Sequence, residues 1–189
     1  MKKFITVFGP SSALPDSALY AEAESLGGML GAKGFNVVTG GYEGVMEAAS
    51  KGARANEAGT VGVTAEVYYA RGRAANAYIT KELRVKSAVD RLMELIDLAD
   101  AFVAIGNSPG TLLEVMTVWE YILKAFIEPK PIILVGEDWQ ALEQLFDMQN
   151  TFASHKKYLT FVNDAKAAVA VLGQIFGEQQ KLPELHILS

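Results

Sequence analysis

Ala101-Phe102-Val103-Ala104-Ile105 followed by Gly106-Asn107-Ser108-Pro109-Gly110-Thr111-Leu112-Leu113-Glu114 joins a strand, a turn and a helix start in one run. The first five residues are apolar with no polar alternation, the pattern of a strand covered on both faces. Gly106 and Asn107 end it. Ser108 is a favourable N-cap and Pro109 a favourable first helical residue, so a helix is expected from Pro109 to about Phe126. A buried strand that feeds directly into a helix is one half of a parallel strand-helix-strand unit.

The same unit recurs on both sides of this run. Phe4-Ile5-Thr6-Val7-Phe8 is apolar and β-branched and stops at Gly9-Pro10; from Asp16 a helix carries Leu19, Ala23, Leu26 and Leu30 at helical spacing. Phe35 to Thr39 is a second strand ending at Gly40-Gly41, a helix with Val45, Ala48 and Ala49 extends to Gly59, and Thr60 to Thr64 is a third strand. Pro131 to Val135 and Leu159 to Val162 read as strands, and Asp138 to Met148 and Asp164 to Phe176 as helices. Glu66 to Ala77 is polar, aromatic and basic, and is expected to be a loop over the sheet edge. Lys81 to Leu98 reads as one helix, with Val85, Val89, Leu92 and Ile96 facing the core and Arg84 and Arg91, seven apart, sharing another face. The expected fold is α/β: a Rossmann-like, doubly wound parallel sheet with helices on both faces, in a single domain over residues 1–176. Residues 177–189 are expected to be a C-terminal tail, loose or in a dimer contact.

Composition narrows the function classes. The chain has 189 residues, half of them hydrophobic and 21% charged, the balance of a globular protein with a sizeable core. With 17 Lys+Arg against 22 Asp+Glu the net charge is -5, so no global basic field favours polymeric nucleic acid. Zero cysteines remove disulfides and thiolate chemistry and agree with a reducing compartment. No apolar run approaches the roughly 20 residues that span a bilayer, and the apolar start is too short for a signal peptide. The expectation is a cytoplasmic protein without a membrane partner. His155 and His186 lack metal-ligand company, and Trp119, Tyr121, Trp139 and Phe146 read as core or subunit-interface residues.

In an open parallel sheet, ligands bind beyond the carboxyl ends of the strands. There the chain places Gly9-Pro10-Ser11-Ser12, Thr39-Gly40-Gly41-Tyr42-Glu43-Gly44 and Gly106 to Thr111. Glycine permits close backbone approach, and the amides of a helix's first turn point partial positive charge outward, so the combination suits phosphate. Gly110 and Thr111 are expected to offer unpaired amides. Glu114, three residues past Thr111, shares its helical face, whereas Leu112, Val115 and Trp119 are expected in the core. Arg84 and Arg91 would offer two planar forks to a phosphate or carboxylate.

Ala99 to Glu114 resembles the segment written ADAFxALPGGxGTxxE in the LOG (LONELY GUY) family. The family's arginine eight residues ahead of that segment falls on Arg91, Val37 to Met46 resembles its GGxxGxM turn, and Val7 to Ser12 its first strand and serine loop. The resemblance runs from Phe4 to about Leu172. It implies a nucleoside 5'-monophosphate phosphoribohydrolase, cleaving the N-glycosidic bond of an N6-substituted AMP, a cytokinin precursor, to free base and ribose 5-phosphate. Glu114 would stabilise the oxocarbenium-like sugar and orient water, and Arg91 would position the substrate. Gly40, Gly41, Gly110 and Thr111 would hold the 5'-phosphate, with Ser12 near the ribose or phosphate and Asn107, Ser108 and Arg84 completing the substrate contacts. No metal or cofactor is implied, and a homodimer or higher homo-oligomer is, with the helix after Thr111 and its neighbours as the interface. The label "possible lysine decarboxylase", which many members carry, is disfavoured because no pyridoxal-phosphate lysine is offered.

The chain departs from that pattern where the family's proline and paired glycines become Gly106, Asn107 and Ser108, and in the segment from Tyr68 to Tyr78 with Arg71 and Arg73. The first departure supports an alternative: a non-catalytic nucleotide carrier on the same fold, as in the related molybdenum-cofactor carrier proteins, which bind a phosphorylated pterin. The second leaves room for a different base or a larger ligand.

Overall fold

The computed structural model describes residues 2–148 and 155–179. Seven strands form one parallel sheet: β1 (Phe4–Phe8), β2 (Asn36–Thr39), β3 (Thr60–Ala65), β4 (Lys81–Val85), β5 (Ala101–Ile105), β6 (Ile132–Val135) and β7 (Leu159–Val162). Their spatial order is β4-β3-β2-β1-β5-β6-β7. β1 pairs with β2 on one side and β5 on the other, with Val7 opposite Val103 and Phe8 opposite Ala104. The direction of winding reverses there, so the crevice between the loops after β1 and β5 is the expected ligand position of a doubly wound sheet.

The helices are α1 (Ala18–Ala32), α2 (Val45–Ala55), α3 (Glu66–Tyr69), α4 (Ala88–Asp97), α5 (Pro109–Leu123), α6 (Glu137–Asp147) and α7 (Ala165–Gln179). Leu26 and Leu30 of α1, Val45 and Ala49 of α2 and Leu172 of α7 pack with Ile5, Val37 and Val103 on one side of the sheet. Leu95 and Ile96 of α4, Val115 and Trp119 of α5 and Trp139 of α6 pack with Phe8, Phe102 and Leu134 on the other. The expected single α/β domain with both sheet faces covered is therefore the one observed. Trp119, Trp139 and Phe146 are core residues, and His155 is exposed. Residues 180–189, including His186 and most of the expected tail, lie outside the described residues.

One segment differs from its reading. Lys81 to Leu98 is two elements: Lys81 to Val85 form the edge strand β4, paired with β3, and the helix starts only at Ala88. Glu82-Leu83-Arg84-Val85 alternates polar and apolar residues, the period of a half-covered strand. Ser87 then starts α4 through a capping box, its Oγ accepting from the Asp90 N–H while the Asp90 carboxylate accepts from the Ser87 N–H. Val89 is consequently 69% exposed and the core positions of α4 are Leu95 and Ile96. Leu112, expected in the core, is also exposed. The segment after β3 opens with the short helix α3 before becoming a loop.

Candidate functional site

α4 and α5 lie on the same side of the sheet and bring Arg91 and Glu114 together. Arg91 Nη1 stands 3.9 Å from Glu114 Oε1, and the two side chains are only 13% and 18% exposed. Arg91 spans the strand ends: its Nε donates to the Val63 carbonyl of β3 at 2.8 Å, and its Nη2 lies 3.6 Å from Met46 Sδ of α2. Its guanidinium carbon is 5.4 Å from the Tyr42 ring centre and 5.9 Å from that of Tyr68, so two aromatic faces flank the cation. No described residue donates a hydrogen bond to the Glu114 carboxylate. Burial pushes Glu114 up to about 7, and the Arg91 charge offsets only part of that effect. A shielded carboxyl that titrates near neutrality can take or give a proton at physiological pH.

The β2 turn supports this pair. A Cβ on Gly40 would overlap the Arg91 guanidinium, so glycine is required there to admit the arginine. Gly41 has φ +78°, donates its N–H to Thr39 Oγ1 at 3.1 Å, and accepts at its carbonyl from Asn76 N and Nδ2. Asn76 Nδ2 also donates to the Tyr42 carbonyl at 2.9 Å. The loop between α3 and β4 is thereby pinned across the turn. Tyr42 is 2% exposed, its hydroxyl accepts from the Ala65 N–H at 2.9 Å, and its ring meets that of Tyr68 edge-on at 5.5 Å.

At the start of α5, Ser108 caps the helix as expected, accepting the Thr111 N–H at 3.1 Å, and the two hydroxyl oxygens lie 2.9 Å apart. Thr111 is 1% exposed. The expectation of an unpaired Thr111 amide therefore fails: the Ser108 side chain has taken it. Pro109 has no N–H, so the Gly110 amide is what this first turn presents outward. Asn107 and Ser108 instead line a mostly apolar cavity of about 550 Å³ between α5 and α6, with Pro109, Leu112, Trp139 and Leu142. Ser12 is exposed in the loop after β1, which is tied to the β2 turn where Val45 N donates to the Pro10 carbonyl at 3.1 Å.

Arg84 is not on a shared helical face with Arg91, because it belongs to β4. It pairs with Glu82 at 3.2 Å and stacks on the Tyr69 ring at 3.5 Å. Burial would raise the Glu82 carboxyl, but hydrogen bonds from Thr64, Tyr69 and Arg84 prevail and hold it below the usual range. The structure thus brings Arg91, Glu114, Gly40 and Gly41 together, with the α5 start beside them, and leaves Arg84 engaged at the sheet edge. Asn76, Met46 and Tyr68 were not singled out as site residues from sequence. Met46 closes the turn that resembles GGxxGxM, and Tyr68 and Asn76 lie in the segment that departs from the family pattern, but their contacts cross long stretches of chain and local sequence does not show them. Among the described residues no cluster of three or more His, Cys, Asp or Glu could hold a metal ion, and no helix is long and apolar enough to cross a membrane.

The family model described as SLOG cluster4 matches residues 2–169. The chain belongs to the SLOG cluster4 family. The SLOG superfamily includes LOG-like proteins, so the LOG resemblance holds at that broader level. None of the curated proteins matches this SLOG cluster4 chain. Among solved structures it is similar to the molybdenum cofactor binding protein of Rippkaea orientalis, at 23% identity and TM-score 0.76, covering 93% of this chain and 98% of that one. The Moco carrier protein of Chlamydomonas rheinhardtii is 26% identical with TM-score 0.68, covering 94% and 99%. DNA processing protein A of Streptococcus pneumoniae, at 11% identity and TM-score 0.59, covers 89% of this chain and 61% of that one. Proteins of different named roles share the fold, so the fold alone does not choose a function.

Proposed function

We propose that this SLOG cluster4 protein binds a phosphorylated heterocyclic small molecule at the strand ends and carries it without cleaving it, with the phosphorylated pterin of the molybdenum cofactor as cargo. The observation that carries this reading is the Ser108 cap. A phosphate-gripping helix start needs several free amides, and here Gly110 alone presents one, because Thr111 N–H is held by Ser108 and Pro109 has none. The likeness to the Chlamydomonas carrier over nearly the whole of both chains supports it.

A second reading, the phosphoribohydrolase, is favoured by one specific feature. Arg91 and Glu114 stand as a shielded pair, with Glu114 raised to about 7. That is the equipment needed to orient water against a sugar carbon gaining positive charge.

One experiment separates them. The protein is purified without oxygen from a host that makes the cofactor, and bound pterin is released, oxidised and read by fluorescence. In parallel it is incubated with AMP and N6-isopentenyl-AMP, and free base is followed by chromatography, with Glu114→Ala as the control. Bound pterin without base release supports the carrier. Base release by the parent and not by the variant replaces the carrier with the hydrolase. A homodimer belongs to the same proposal, because Val89 on α4 and Leu113 on α5 are 69% and 61% exposed beside the site residues. Sedimentation of the parent and of Leu113→Glu tests it: a dimer that the variant splits supports the interface, and a monomeric parent removes it.

A further inference from the structure

The loop between α3 and β4 is held in place. Arg71 N, Gly72 N and Arg73 N donate to the Tyr68 and Tyr69 carbonyls, Gly72 turns the chain at φ +79°, and Asn76 fastens the far end to Gly41 and Tyr42. Arg73 is exposed, and its guanidinium carbon lies 6.0 Å from the centre of the same Tyr42 ring that Arg91 approaches to 5.4 Å. Two guanidinium groups thus converge on one tyrosine. Their charges are not equally available: Arg91 faces Glu114 and is bonded to the Val63 carbonyl, whereas no described carboxylate pairs with Arg73.

Like charges drawn to one ring repel each other, and a chain of net charge -5 has acidic residues to spare for neutralising them. An uncompensated, positioned arginine beside a crevice is instead suited to a ligand's anionic group, because its planar fork makes charge-assisted paired hydrogen bonds. The turns expected to supply phosphate contacts are largely occupied: Gly40 by Arg91, the Gly41 amide by Thr39, and the Thr111 amide by Ser108.

We propose that Arg73 is a specificity-determining residue of the crevice and takes the phosphoryl group of the bound small molecule, the role that the glycine turns and the helix start no longer fill. The inference rests on reading the crevice as a site for a phosphorylated ligand. A phosphoryl group at Arg73 would leave the heterocycle near Tyr42 and the Arg91–Glu114 pair, and would select phosphorylated ligands over their dephosphorylated forms.

Calorimetry with three probes, AMP, adenosine and inorganic pyrophosphate, tests this on the parent, Arg73→Gln, Arg73→Lys and Arg71→Gln. Arg71→Gln removes the same charge two residues away. The expected result is AMP and pyrophosphate binding by the parent, weakened about tenfold in Arg73→Gln, the loss of one charge-assisted contact. Arg73→Lys should keep part of the affinity, adenosine should not respond, and Arg71→Gln should change AMP binding by less than about twofold, as expected of a screened charge without direct contact. Unchanged AMP and pyrophosphate binding in Arg73→Gln overturns the role of Arg73 while leaving the ligand reading intact. An equal loss in Arg71→Gln overturns it in favour of a diffuse field. A parent that binds neither AMP nor pyrophosphate overturns the phosphoryl site at Arg73, while the pterin content of the purified protein decides the ligand reading separately. Thermal melts of all variants confirm that an exposed position has been changed without unfolding.

Discussion

The space a Cβ on Gly40 would fill is taken by the guanidinium of Arg91, so a glycine at the end of β2 and an arginine on α4 are complementary parts of one contact. The arginine reaches the crevice because the turn has no side chain, and this dependence can be tested directly. Gly40→Ala must displace Arg91 from Met46 and Val63 or strain the turn, which overpacking puts at roughly 1–3 kcal/mol of stability. Urea denaturation measures that loss. Displacement also withdraws the cation nearest Glu114, so its carboxyl should titrate higher than the about 7 of the parent. An NMR titration in which Glu114 keeps the parent's midpoint would show that the arginine had kept its place.

Glu114 also gives the fold a pH signature. Its folded value of about 7 lies above the ordinary 4.5, so between these values the folded chain holds a proton that the unfolded chain has lost. Stability contributed by this group therefore falls as pH rises through that window and levels off above it, by an amount on the order of 3 kcal/mol. Glu114→Gln keeps the shape and removes the titration. The difference in unfolding free energy between parent and variant, measured at pH 4.5 and pH 8, should shift in the variant's favour at the higher pH. A constant difference would mean that Arg91 neutralises the carboxylate fully.

The sheet and the crevice were legible in the chain for a simple reason. β5 and β6 are unbroken apolar runs and β1 is interrupted only by the β-branched Thr6, each ended by glycine or flanked by proline, and a strand covered on both faces needs no other signal. β4 was hidden because Val85, Val89, Leu92 and Ile96 fall at helical spacing across a strand-helix junction, and one period masked the other. Arg91 and Glu114 were readable from their places in a known motif. What could not be read was whether an amide was free. The Gly41 amide is taken by the Thr39 hydroxyl two residues back, a side-chain placement that only the folded turn fixes, and the Gly41 carbonyl by Asn76, 35 residues away, through a hydrogen bond between distant segments that leaves no mark in local sequence. At Thr111 the mark was present in the Ser108 cap, and its consequence for ligand binding became visible only with the hydroxyl's position.

Asn76 is the fastener of the α3–β4 loop, with side-chain bonds of 3.1 and 2.9 Å to the Gly41 and Tyr42 carbonyls. Asn76→Ala removes both and leaves the Tyr42 carbonyl without its amide donor, a loss of about 1–3 kcal/mol. The loss should be local. Hydrogen exchange at Arg71, Gly72 and Arg73, whose N–H groups bond within the loop, should accelerate at least about tenfold while β5 stays protected. Uniform acceleration across the sheet would indicate that the loop is part of the global folding unit.

Ser108 offers the sharpest test of why the helix start is closed. Its Oγ holds the Thr111 N–H at 3.1 Å, so replacing it should both weaken the helix and release an amide. The two effects separate by choice of residue. Ser108→Ala loses the cap at a cost of about 1 kcal/mol, whereas Ser108→Gly loses only a few tenths, because glycine tolerates the N-cap backbone and leaves the amides solvated. Both variants free Thr111, but only glycine also clears the space above it for a phosphate to approach. Ser108→Gly is therefore expected to melt close to the parent and to bind AMP several-fold more tightly, with Ser108→Ala less stable and intermediate in affinity. Equal affinity in all three proteins would show that phosphate does not visit the α5 start at all, and would leave Arg73 as its partner.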